Sequence, residues 1–86
     1  MDKEESEQAR AAIFEAVDSQ LKDRDPPETA ETLDRLLEEG HSRDEAYRLI
    51  GCVLADELFQ IMKHEREYDR ARYVQLLQNL PALPWE

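Results

Sequence analysis

Few side chains in this sequence could do chemistry. Cys52 is the single thiol, His41 and His64 are the two imidazoles, and Ser6, Ser19 and Ser42 are the serines. Nucleophilic catalysis needs a thiol or hydroxyl beside a base. Cys52 lies among Gly51, Val53 and Leu54, where a thiol is usually inert packing. The serines read as surface or cap residues. A carboxylate-bridged metal centre in a helical bundle takes Glu from two helices and Glu-x-x-His from two more. No predicted helix here contains that motif: His41 falls just before one helix and His64 just after another. No glycine-rich loop is present to cradle phosphate. The expectation is a non-enzymatic chain without metal or cofactor.

One carboxylate stands out. Glu57 follows Ile50, Val53 and Leu54 by seven, four and three residues and precedes Ile61 by four. On a helix that spacing puts it on the apolar face. A buried carboxylate needs partners or it protonates. Gln20 lies beside Ala16, Val17 and Leu21 on the inner side of another helix. A Gln20–Glu57 hydrogen bond would satisfy both as a buried polar pair. The other reading is that Glu57 sits at the end of the core and reaches water.

Helices must position these groups, because helical signals recur and strand signals do not. The first helix is expected from about Glu4 to Lys22, with Ala9, Ile13, Ala16, Val17 and Leu21 on one face. Its first residues, 1–5, are expected to fray. Asp25-Pro26-Pro27-Glu28 reads as the second start, with Asp25 as cap and Pro26 at the first helical position. Thr29, Ala30, Leu33, Leu36 and Leu37 form its inner stripe, and Gly40 offers a left-handed stop. Ser42-Arg43-Asp44-Glu45 is a capping box that opens a long third helix, to about Lys63. Asp69 opens the fourth, with Tyr68 and Tyr73 spaced as a hydrophobic staple. Tyr73, Leu76, Leu77 and Leu80 face inward, and Pro81 ends the helix. A non-helical tail, 81–86, follows, with Trp85 expected to fold back on the body.

The third helix is apolar nearly all round. Ala46, Ile50, Val53, Leu54 and Ile61 cluster on one side at about 100° per residue. Gly51, Ala55, Leu58 and Met62 continue the apolar surface, and Cys52 and Phe59 lie beyond them. Only a strip with Arg48, Asp56, Gln60 and Lys63 stays polar. Such a helix is either wholly surrounded by its own chain or shares a side with another. The sharper reading makes Gly51, Cys52, Ala55, Phe59 and Met62 a protein interface with a second copy. Gly51 and Ala55, small and four apart, would let that copy approach closely.

The 86 residues hold 11 Lys and Arg against 21 Asp and Glu, a net charge of −10. That argues against direct nucleic-acid or anionic-lipid binding, which needs clustered cations. Residues 1–40 carry 5 basic and 13 acidic residues; residues 41–86 carry 6 and 8. The first two helices thus present a negative surface that could meet a basic partner. One cysteine excludes an intrachain disulfide framework. No apolar run is long enough for a membrane span, and MDKEESEQ is the reverse of a signal peptide. A cytoplasmic, bacterial-type chain is expected.

Three segments carry a family resemblance: Ile13–Leu21, Asp25–Thr29 with Arg35-Leu36, and Asp44–Gly51. Tyr73-Val74-Gln75-Leu76-Leu77 fits with them. Together they resemble a family of small uncharacterised bacterial helical domains, over about residues 10–80. The resemblance implies histidines near the positions of Phe14, Asp44 and Arg48, none of which is His here. It therefore implies a fold and no activity.

The reading is all-α: a compact bundle of about four helices, 1–86, with a long central third helix. The expected function is that of an interaction or accessory domain, self-associating as a homodimer through the third helix. The alternatives are a degenerate ligand or metal site around Glu57, and an acidic decoy for a basic or nucleic-acid-binding protein.

Overall fold

The computed structural model describes residues 3–85, with side chains from Glu7 onward. Among the described residues all regular structure is helical: α1 Lys3–Asp23, α2 Pro27–Glu38, α3 Arg43–His64 and α4 Arg70–Asn79. Of residues 1–5, expected to fray, 1–2 lie outside the described residues and 3–5 belong to the backbone of α1.

Local chemistry sets each boundary. After α1 the chain turns through Arg24 in the left-handed region (φ 52°). α2 starts one residue later than expected. Pro27 takes the first helical turn, and Pro26 stands at the cap position, where no side chain caps. Asp25 is therefore not a cap; its carboxylate meets Arg70 at 3.1 Å. Gly40 stops α2 with φ 100°, a conformation that side-chain-bearing residues adopt only under strain. The Ser42 hydroxyl accepts from the Glu45 N–H at 3.1 Å and starts α3. The Glu45 carboxylate does not close the box; it turns to His41 Nδ1, 3.1 Å away. Asp69 caps α4 by accepting from the Arg72 N–H at 3.0 Å. The staple is present: the Tyr68 and Tyr73 rings meet edge-on, centroids 6.0 Å apart.

α2 and α3 each pack against all three other helices, and α1 and α4 flank them. Between them lies a core of Val17, Leu33, Leu36, Ala46, Ile50, Val53, Leu54, Tyr73, Leu77 and Leu80. Arg35 ties α2 to the end of α4: its Nη2 donates to the Leu77 carbonyl at 3.1 Å. A cation there also suits the negative end of the helix dipole. In the tail, Trp85 does not fold back as expected; it is 64% exposed, and Leu83 is the tail residue that meets the core.

Gly51 corrects the sequence reading. It is buried within its own chain, against α1. A Cβ at Gly51 would lie 3.1 Å from Ile13 Cγ2 and 3.7 Å from the Phe14 ring. The missing side chain admits α1, and no second copy is needed to explain it.

Candidate functional site

Glu57 is fully buried and ionised. Arg66 grips it with both ends of its guanidinium, Nη2 to Oε1 at 2.9 Å and Nη1 to Oε2 at 3.1 Å. Arg72 Nη1 donates to Oε1 at 2.7 Å, and the Asp69 N–H donates to Oε2 at 3.0 Å. Arg72 also reaches Asp56, 2.7 Å away. Burial pushes the Glu57 pKa up. The bonds from Arg66, the Asp69 N–H and Arg72 outweigh it and hold the carboxyl below its ordinary value. The burial is shallow, since both arginines that cover Glu57 are themselves part-exposed. Four donors occupy the roughly four lone-pair positions of a carboxylate. This knot fastens α3 to the loop and to α4.

Gln20 belongs to a separate knot, and the expected Gln20–Glu57 bond is absent. Gln20 Oε1 accepts from the Thr29 hydroxyl at 2.9 Å and the Tyr73 hydroxyl at 2.8 Å. α1, α2 and α4 meet there. Burial pushes the Tyr73 phenol up to about 12. The sequence places Glu57 and Gln20 on apolar faces but leaves open whether Glu57 is buried; the structure buries Glu57 fully and Gln20 in part. Their partners were not legible, because Arg66, Arg72, Thr29 and Tyr73 become neighbours only through helix packing. One signal pointed to the arginines: both flank Asp69, the residue that must cap α4 beside the end of α3.

The outer flank of α3 is different. Leu58, Phe59 and Met62 are 43%, 56% and 78% exposed. Ala55 is exposed and Cys52 half-buried. Lys63 Nζ lies 5.6 Å from the Phe59 ring centroid. Toward the start of α3 the same flank sinks into an open groove of about 800 Å³ between α1 and α3. Ile13, Phe14, Gly51, Cys52 and Ala55 line it, with Arg10, Asp44 and Arg48 among its polar residues. Phe14, Asp44 and Arg48, the positions the resemblance singled out, thus share one concavity. Tyr47 forms another wall. Its ring meets Phe14 edge-on at 6.3 Å, and its hydroxyl donates to Asp18 at 2.6 Å. Burial pushes the Cys52 thiol up, and Arg48 only partly offsets it. A protonated thiol is a poor nucleophile.

Of the five residues expected at an interface, Cys52, Ala55, Phe59 and Met62 reach the surface, and Gly51 is buried at the floor of the groove. Among the described residues, no three His, Cys, Asp or Glu side chains converge on a possible metal position. No described helix is long and apolar enough to cross a membrane. No protein-family model, curated protein or solved structure matches this chain.

Proposed function

We propose that this chain is a non-enzymatic interaction domain of the bacterial cytoplasm that self-associates through the outer flank of α3. The observation that carries this reading is the row Leu58, Phe59 and Met62, exposed side by side on the longest helix. Scattered exposed apolar residues are ordinary, but a contiguous patch marks an interface. α3 already buries its opposite face on the other three helices, so the flank is free for a partner. Replacing Phe59 by Asp puts two like charges into a twofold seam. Light scattering at high protein concentration should find dimers for the wild type and folded monomers for Phe59→Asp. A monomeric wild type defeats the proposal. An unfolded Phe59→Asp would show that Phe59 supports its own chain's core instead.

A second reading concerns the acidic face. Glu15, Asp18, Asp23, Glu31, Asp34 and Glu38 are exposed on α1 and α2. A basic partner held there would dissociate as salt rises, whereas an apolar seam would not. Pull-downs at low and high salt separate the two.

A further inference from the structure

The two halves of the α3 flank differ in relief and in charge. Arg48, Cys52, Ala55, Phe59 and Met62 follow one another at four, three, four and three residues, the spacing of a helix–helix seam. The stripe is nearly symmetric about Ala55: Arg48 and Met62 lie seven residues to either side, Cys52 and Phe59 three and four. Its two halves differ in relief. Phe59 and Met62 protrude on the C-terminal side. On the N-terminal side the surface recedes into the groove lined by Phe14, Gly51 and Cys52. The ends differ in charge as well, with Asp44 and Glu45 in the first turn and Lys63 and His64 in the last.

We infer that two copies pair with their α3 helices antiparallel, on a twofold axis through Ala55, each seating Phe59 in the partner's α1–α3 groove. This rests on the self-association proposed above and specifies its geometry. An antiparallel pair puts the protruding half of each stripe against the recessed half of the other. It brings Asp44 and Glu45 near the partner's Lys63, and it opposes the two helix dipoles favourably. A parallel pair would set Phe59 against the partner's Phe59, leave both grooves empty and place like charges together. Ala55 suits the axis because a small residue there allows axes about 8 Å apart. The seam from Arg48 to Met62 is only about 21 Å long, so the interface is small and the dimer dissociates readily.

Cysteine cross-linking tests the geometry. At the axis, Cα atoms of the paired residue 55 approach to about 3.5–5.5 Å for axes about 8–10 Å apart, and the upper part of that range is within disulfide reach. Those of residue 62 lie about 21 Å apart along the seam. In a Cys52→Ser background, Ala55→Cys under mild oxidation should shift from the 10.1 kDa monomer to a linked dimer of twice that mass. Met62→Cys in the same background should stay monomeric. Linking of both variants, or of Met62→Cys alone, overturns the antiparallel axis. If neither links while native mass spectrometry of the wild type shows a dimer, self-association survives and this seam is wrong. A wild type that is monomeric at high concentration removes both. Because Ala55 is exposed, the Cys variant should keep the wild-type helical circular-dichroism signal.

Discussion

Glu57 shows how a carboxylate comes to rest on an apolar face. Its charge is stabilised by two guanidiniums and a backbone N–H, so its folded pKa lies below the unfolded value near 4.3. A depressed carboxylate contributes stability that is fully present above the unfolded pKa. That contribution is lost as pH falls through the folded pKa. Glu57→Gln should therefore lower stability by about 1–3 kcal/mol at neutral pH, toward the lower end because Arg66 and Arg72 are part-exposed. The deficit should shrink as the solution is acidified below about pH 4. Urea unfolding at pH 7 and at about pH 3 measures it. Parallel loss in both proteins across that range would mean that the knot does not depend on the Glu57 charge.

At the scale of elements, the α1–α3 contact is the tightest test of the packing. Glycine inside a helix costs about 1 kcal/mol relative to alanine, and Gly51 repays it by admitting Ile13 and Phe14. Gly51→Val would drive a branched side chain into Ile13 and should lower stability by about 1–3 kcal/mol through overpacking. Thermal or urea unfolding reads this directly. An unchanged midpoint would show that α1 yields without loss and that the close approach is incidental. The groove depends on the same contact, so the variant should also weaken dimerisation if the α3 seam is as inferred.

For the whole molecule, charge is the dominant long-range term. A net charge of −10 on 86 residues repels itself within one chain and between two copies. Raising NaCl from low ionic strength through about 0.15 M shortens the screening length to about 8 Å. The thermal midpoint should rise and the monomer–dimer equilibrium should shift toward dimer, as read by calorimetry and light scattering. A falling midpoint would mean that the ion pairs, such as Arg72–Asp56 and Arg66–Glu57, outweigh the general repulsion.

The helices and most of their boundaries were readable in the sequence because they depend on neighbours a few residues away. The Ser42 and Asp69 caps, the Tyr68–Tyr73 staple, the Gly40 stop and the apolar stripes are all local patterns. Asp25 was misread because two adjacent prolines offer two helix starts, and only the packed chain chooses between them. That Glu57 and Gln20 interrupt apolar faces was readable too; that Glu57 is fully buried was not. Their partners were decided by tertiary structure: Arg72 lies fifteen residues from Glu57, and Tyr73 fifty-three from Gln20. The same holds for Gly51. Periodicity shows that a small residue lies on α3, but only the relative placement of α1 and α3 shows that the space is filled from within the chain. Burial against a distant segment is a sum over the whole fold, and helical periodicity carries no record of which neighbour supplies it.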